Sequence, residues 1–210
     1  MSEFEFTTDW FSDQVRLHFD SVFQMISPTK VLEIGSFEGA ASCHIIALLG
    51  ALGRGEIHCI DTWQGSAEYI DQSFPDTQEI NMSAVQQRFC RNTEIALGIV
   101  SNQVNLVVHK SRSIDALAKL ITEQQRFDFI YIDASHQAPD VLCDAVMAFQ
   151  VLNPGGILGF DDYLWFEQFP YGKNVLRATK IAIDAFTNIY ANHLELLRSR
   201  SDQMYMRRID

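Results

Sequence analysis

Asp133, His136, Asp161 and Asp162 in the second half of the chain are the residue types that hold a hard cation and move a proton. Three carboxylates in one mouth suit Mg2+, which takes carboxylate oxygens and waters in octahedral geometry. Without a cation they repel one another and their pKa values rise. A cation there holds two vicinal substrate hydroxyls and lowers the pKa of one of them. His136 follows Asp133 by three positions, and an imidazole with an ordinary pKa of about 6.5 takes a hydroxyl proton near neutrality. The plainer alternatives are that Asp161 or Asp162 only caps a loop and that His136 orients an aspartate.

The first half carries a second set. Glu33-Ile34-Gly35-Ser36-Phe37-Glu38-Gly39 has the spacing E-x-G-x-x-x-G. Glycines allow a tight turn and close approach of a ligand to the backbone. This is neither the G-x-G-x-x-G of nicotinamide folds nor a Walker loop with its lysine. An acidic residue before the turn suits a ligand with a positive group better than a pyrophosphate. Packing alone is the alternative need for glycine here. Asp61 follows Glu33 by 28 residues, near the interval of about 20 residues at which an acid meets a ribose in nucleotide folds. A helix or turn cap is its alternative role.

These residues need a scaffold that brings them together. Val15, Phe19, Val22, Phe23 and Ile26 fall at helical spacing after Ser12, and Pro28 stops that helix. Short strands are expected at 30–34, 56–60, 104–108, 127–132 and 157–160. Helices are expected at 40–49, about 83–97, 113–124, 139–152 and 174–189, and two last strands at 194–199 and 203–208. Asn153-Pro154-Gly155-Gly156 reads as a turn. Strands alternating with helices mean right-handed βαβ units in a mainly parallel, doubly wound sheet. Ligands of such sheets sit beyond the carboxyl ends of the strands. Four of the five first strands end in acid there: Glu33, Asp61, Asp133 and Asp161-Asp162.

Composition narrows the partners. The 210 residues carry 16 Lys+Arg against 27 Asp+Glu, a net charge of −11. That balance argues against a grip on phosphate backbones, which needs clustered Lys/Arg, and against docking on an anionic membrane. At 47% hydrophobic residues the chain can bury a real core, and its length fits one domain over 1–210. No apolar run approaches the roughly 18–20 residues of a membrane span. The acidic start MSEFEFTTDW has no apolar signal core. Cys43, Cys59, Cys90 and Cys143 form no C-x-x-C pair. Structural thiols in a cytoplasmic protein are therefore expected.

The runs VLEIGSFEGAAS, IHCIDTWQGS and FDFIYIDASHQAPDVLCDAVMAFQVLNPGGILGFDDYLW resemble class I S-adenosylmethionine-dependent methyltransferases. The likeness is greatest to the macrolide-sugar and aminocoumarin-sugar O-methyltransferases, and it spans about residues 30–165. The most specific part is I-D-x-S-H…D…L-x-P-G-G…D-D-Y. The resemblance implies a Rossmann-like seven-stranded sheet in the order 3-2-1-4-5-7-6, with strand 7 antiparallel. It places the methionine end of the cofactor at Glu33, Gly35 and Ser36, with Gly39 letting the next helix pack close. It sets Asp61 on the ribose, Thr62 and Trp63 beside the nucleoside, and 109–113, Ser111 foremost, along the adenine. Asp133 would border the cofactor and, with Asp161 and Asp162, hold a metal, Mg2+ above all. His136 is the implied general base.

The expected activity is O-methylation of a small hydroxylated acceptor, a sugar or glycosylated metabolite. A catechol-like phenol is the alternative acceptor, and a non-catalytic cofactor-binding module is the alternative class. Tyr163, Trp165, Phe166, Phe169 and Tyr171 follow the aspartate pair and are either a pocket wall or core. The irregular stretch 62–103, in particular Phe74–Asn92, is the expected lid and acceptor segment. A second subunit completing the pocket would make the protein a homo-oligomer.

Overall fold

A computed structural model of the chain describes residues 3–66, 80–101, 103–169, 172–199 and 202–210. In chain order the elements are α1 (Asp13–Ile26), β1 (Lys30–Ile34), α2 (Ala40–Ala51), β2 (Gly55–Asp61), α3 (Met82–Ile99) and β3 (Val104–Lys110). Then come α4 (Ser113–Thr122), β4 (Phe127–Ile132), α5 (Ala138–Val151) and β5 (Leu152–Phe160). The chain closes with β6 (Phe166–Phe169), β7 (Gly172–Ala178), α6 (Lys180–Ile189), β8 (Leu194–Leu197) and β9 (Met204–Arg208).

The sheet order is β3-β2-β1-β4-β5-β9-β8, with β6 and β7 in a separate two-stranded sheet. Numbered within the large sheet alone, this is the expected 3-2-1-4-5-7-6. The first five strands pair in parallel, and β9 runs antiparallel to both β5 and β8.

Period-two alternation in the central strands sorts the core into two layers. Leu32, Ile34, Ile130, Ile132, Leu158 and Phe160 face α4, α5 and α6. Val31, Ile57, Cys59, Phe129, Tyr131 and Ile157 face α1, α2 and α3. Helices on both faces leave the strand ends as the place where a cavity can open. Glu33 points its carboxylate into the second layer and is completely buried.

Two expectations are corrected. The helix expected at 174–189 is a strand followed by a shorter helix. The helical period of Ala182, Ile183 and Phe186 is real, but Val175 and Leu176 face solvent at 61% and 56% exposure. What holds 172–178 extended is pairing with β6, in the register Phe166↔Ala178 and Phe169↔Gly172. An ion pair between buried Glu167 and partly buried Arg177 spans the same strand pair. The turn at 153–156 lies inside β5 as an irregularity, Leu152 pairing with Phe127 and Ile157 with Phe129. Of the expected lid, residues 67–79 and 102 lie outside the described residues. Met82–Ile99 is a helix that buries Val85, Phe89 and Ala96 in the core.

Between β2 and β3 the rings of His58 and His109 meet, Nδ1 to Nε2, at 3.0 Å, and His58 Nε2 lies 2.8 Å from Glu56. Burial lowers both pKa values; Glu56 and Glu123 oppose the shift, while Lys30 and Lys119 add to it. Both rings therefore favour the neutral form in the fold. A base with a depressed folded pKa gives full stability above its unfolded value of about 6.5 and loses stability as pH falls below it. Urea unfolding from pH 8 to 5.5 should show this loss, and His109→Gln should flatten part of the slope. An unchanged slope in that variant would contradict the assignment.

Candidate active site

Where β1 ends the chain turns sharply. Gly35 has φ +89°, and a Cβ built on it would lie 1.9 Å from the Asp133 carbonyl oxygen. No side chain fits between the ends of β1 and β4. The Gly35 amide donates to the Ile60 carbonyl at 2.8 Å, tying the turn to β2. Asp61 fastens the same loop: Oδ2 accepts from the amides of Ser36 and Phe37, each at 2.9 Å, and Oδ1 accepts from Trp63 at 2.7 Å. Asp61 thus does cap turns, and it still borders the cavity.

Glu33 Oε2 accepts from the hydroxyls of Ser36, at 2.6 Å, and Ser42. Its other oxygen, Oε1, is buried with no partner among the described residues. Burial raises the Glu33 pKa, and the hydroxyls of Ser36 and Ser42 oppose the rise. Gly39, φ +82°, leaves only 3.0 Å between a built Cβ and the Phe89 ring, so it lets α2 and α3 close together.

The second set gathers on the neighbouring strand ends. Asp133, His136 and Asp162 each offer a ligand atom, all within 4.8 Å of one another. His136 Nε2 lies 2.9 Å from Asp162 Oδ2, and the His136 ring stacks on Trp165 at 4.1 Å and 26°. Asp161 stands one step behind. Its Oδ2 accepts from the Tyr131 hydroxyl at 2.5 Å and its Oδ1 from the Asp162 amide at 2.9 Å. Asp133 is surrounded by protein yet open to solvent through the cavity. Burial, then Asp161 and Asp162, push its pKa well above the usual range, and His136 opposes them. Solvent in the cavity tempers that rise. Asp162 sits at φ +54°, beside Phe37 at +47° and Trp63 at +49° among the strained non-glycine positions.

One cavity of about 1420 Å³ is bordered by both sets, including Gly35, Ser36, Thr62, Ser111, Asp133 and Asp162. His136, Asp161 and Trp165 border it as well. Trp63 does not: its indole is buried, donates to the Phe37 carbonyl at 2.9 Å and packs on Phe89. Of the aromatic group, Trp165 is wall, whereas Tyr163 packs against the core and donates to Asp184 at 2.8 Å; Tyr171 lies outside the described residues.

Two contributors were missed in the sequence. The segment Phe6–Ser12 lines the cavity, latched by Glu38. That buried carboxylate accepts from the Thr7 amide and hydroxyl and from Arg88 Nε, each at 2.6 Å. The available signal was the aromatic density of Phe4, Phe6, Trp10 and Phe11 without any helical period. Asp144 is the other. It also borders the cavity, and burial pushes its pKa up to about 6, with the Ser113 hydroxyl lowering it and Asp140 raising it. One turn of helix after Asp140, it reads in sequence as a solvated face.

A family model described as a methyltransferase domain matches residues 32–163. The chain belongs to this methyltransferase family. No curated protein matches the chain. Among solved structures the methyltransferase resembles a Bacillus cereus O-methyltransferase in complex with S-adenosylhomocysteine, at TM-score 0.65 and 16% identity over 95% of this chain and 82% of that one. It also resembles CalS11, a TDP-rhamnose 3′-O-methyltransferase of calicheamicin biosynthesis, at 0.59 and 18% over 92% and 78%. TomG, an O-methyltransferase of Streptomyces achromogenes solved with S-adenosylmethionine, gives 0.60 and 17% over 94% and 80%. At these identities the likeness is one of fold.

Two variants test the geometry of this cavity. Gly35→Ala forces a methyl group into the Asp133 carbonyl and a non-glycine residue to positive φ. It should lower the melting midpoint by the several degrees that about 1–3 kcal/mol of strain gives; an unchanged midpoint would contradict the close approach. Asp144→Asn removes a carboxylate that ionises reluctantly in the fold. A raised folded pKa costs stability above about pH 6 and nothing below the ordinary value. The variant should therefore be more stable than the parent at pH 7.5, by an amount on the order of 2–3 kcal/mol. The gain should vanish near pH 4, and equal stability at both pH values would contradict it.

Proposed function

We propose that the chain is an S-adenosylmethionine-dependent O-methyltransferase acting on a hydroxyl of a small molecule, a sugar or glycosylated metabolite, with a divalent cation at the acidic mouth. The observation that carries this reading is that one cavity is bordered by both the glycine loop and the Asp133–His136–Asp162 group. A methyl donor and an oxygen nucleophile can then share one chamber. The relatives with bound S-adenosylhomocysteine and S-adenosylmethionine, and the TDP-rhamnose enzyme, support it.

The residues fit the donor. Among the described residues Glu33 Oε1 is a buried acceptor with no hydrogen-bond partner, which costs free energy unless a donor such as an ammonium meets it. Glu33, Gly35 and Ser36 would take the methionine end, with Gly39 keeping α2 close. Asp61 and Thr62 would take the ribose side, with Trp63 supporting Phe37 from beneath, and Ser111 would flank the adenine. The mouth fits a cation as well. Carboxylates of Asp133 and Asp162, with Asp161 behind them, are hard donors, and the upward pKa shift of Asp133 is the mark of charge awaiting compensation. When bound, Mg2+ would hold the acceptor oxygen and favour its ionised form.

The chain's own groups do the rest. His136 accepts the hydroxyl proton, and the adjacent Asp162 favours the imidazolium that results. S-Adenosylmethionine, held at the glycine loop, would supply an electrophilic methyl group to the acceptor oxygen, with the neutral thioether as its leaving group. In-line placement supplies much of the acceleration. Trp165, Trp10 and Phe37 give the chamber aromatic walls, which favours a catechol-like phenol as the alternative acceptor. A binding-only module has no need of the Asp133–His136–Asp162 group. The whole chain, 1–210, is read as one catalytic domain. A cytoplasmic location accords with four free thiols, and no helix among the described residues is long and apolar enough to cross a membrane. At −11 the chain is ill suited to nucleic acid, and a homo-oligomer belongs to the same reading.

Thermal unfolding with S-adenosylhomocysteine, in Mg2+ and in EDTA, tests it. A native-state ligand at 100 times its dissociation constant adds about 2.7 kcal/mol, which raises the midpoint by about 5–10 °C for a chain of this size. Mg2+ should enlarge the shift, and Asp162→Asn should abolish the Mg2+ increment while keeping the cofactor shift. No shift with S-adenosylhomocysteine would overturn the cofactor assignment; a shift indifferent to Mg2+ would overturn the cation.

A further inference from the structure

Behind the acidic mouth, three buried polar side chains form a line along the layer that faces α1, α2 and α3. The Tyr205 hydroxyl donates to Gln203 Oε1 at 2.9 Å, Gln203 Nε2 donates to the Tyr131 hydroxyl at 2.9 Å, and Tyr131 donates to Asp161 Oδ2 at 2.5 Å. Tyr131, Gln203 and Tyr205 are 1%, 3% and 3% exposed. We propose that Tyr131, Gln203 and Tyr205 are a positioning relay that fixes the Asp161 carboxylate, and with it Asp162, for the cation at the mouth. This inference rests on the methyltransferase reading with its cation.

The direction of the relay follows from its end. With a cation at the mouth Asp161 is ionised and only accepts, so the single hydroxyl proton of Tyr131 goes to Asp161. The Tyr131 oxygen must then be supplied by the Gln203 amide, whose carbonyl turns to the Tyr205 hydroxyl. Every donor points toward the aspartate. The other Asp161 oxygen takes the amide of Asp162, and the Gln203 side chain also reaches the Asp161 carboxyl, so two members of the relay and one amide hold Asp161, while Asp162 is held by its backbone in the left-handed region. The Thr179 hydroxyl also donates to the Asp162 carbonyl.

The sheet makes room for the line. Tyr131 pairs with Gly159 on β5, and Gly159 pairs with Tyr205 on β9. A Cβ on Gly159 would lie 2.6 Å from the Tyr205 ring. On its other side Tyr131 pairs with Glu33 of the glycine loop. One row across the sheet therefore joins the donor's carboxylate to the relay. Three buried polar groups weaken an apolar layer unless each is bonded, and here the bonds end on a cavity carboxylate. The antiparallel strand that closes the sheet thereby becomes part of the site.

The test compares the parent with Tyr131→Phe, Tyr205→Phe and the double variant Tyr131→Phe/Gln203→Leu, which replaces the relay with apolar groups. Mn2+ binding is read from the free-ion paramagnetic resonance signal at saturating S-adenosylhomocysteine, and S-adenosylhomocysteine affinity by calorimetry. Loss of a partner that orients a metal ligand weakens metal affinity by about 10–100-fold. That weakening is expected in Tyr131→Phe and the double variant, with a smaller loss in Tyr205→Phe and S-adenosylhomocysteine affinity unchanged. If Tyr131→Phe does not fold, the double variant is read in its place. Mn2+ affinity within twofold of the parent, in a variant that still binds S-adenosylhomocysteine, overturns the relay. A parent that binds S-adenosylhomocysteine but no Mn2+ overturns the cation and the relay together, and a parent that binds neither overturns the methyltransferase reading itself.

Discussion

The site depends on the close approach of two strand ends. Gly35 lies so near the Asp133 carbonyl that a single added carbon would sit 1.9 Å from it. That contact sets the glycine loop directly beside the acidic mouth, so the two halves of the chemistry share one cavity. The rest follows from it. The loop needs positive φ at Gly35, its amides need an acceptor, and Asp61 supplies one from the next strand. Glu33 is drawn into the core with one oxygen bonded to Ser36 and Ser42 and the other without a hydrogen-bond partner among the described residues.

Electrostatics supplies the opposite tendency. Carboxylates whose ligand atoms lie within 4.8 Å repel by on the order of 3 kcal/mol at an effective dielectric of 20. A net hydrogen bond returns only about 1 kcal/mol. The mouth therefore stays assembled because the sheet holds its strand ends in place, and it favours a proton or a cation among its carboxylates. The hydrogen bond between His136 and Asp162 offsets part of the repulsion at Asp162, and the Tyr131 bond offsets part of it at Asp161.

Much of this was legible in the sequence because it is local. Period-two alternation marks Leu32, Ile130 and Leu158 as one face, and strand ends follow from where that alternation stops. Gly35, Asp61, Asp133 and Asp162 could thus be placed in one mouth from spacing alone. What was not legible depends on pairing between distant segments. The β6–β7 hairpin exists because Phe166 meets Ala178, and no local period records that. The latch of Thr7 on Glu38 and the burial of Asp144 arise only when remote elements pack. The same holds for Trp63, which the resemblance sets beside the nucleoside: its ring turns inward against Phe89, a contact no local spacing records.

The central claim is that the glycine loop and the acidic mouth hold the methyl donor and the acceptor oxygen side by side. A crystal structure of the protein with S-adenosylhomocysteine and Mn2+, with anomalous scattering collected for the metal, tests it most directly. The account predicts the amino acid end of the ligand at Glu33 and Ser36, and one anomalous peak within bonding distance of Asp133 and Asp162. Ligand bound elsewhere, or no metal peak at those carboxylates, would contradict it.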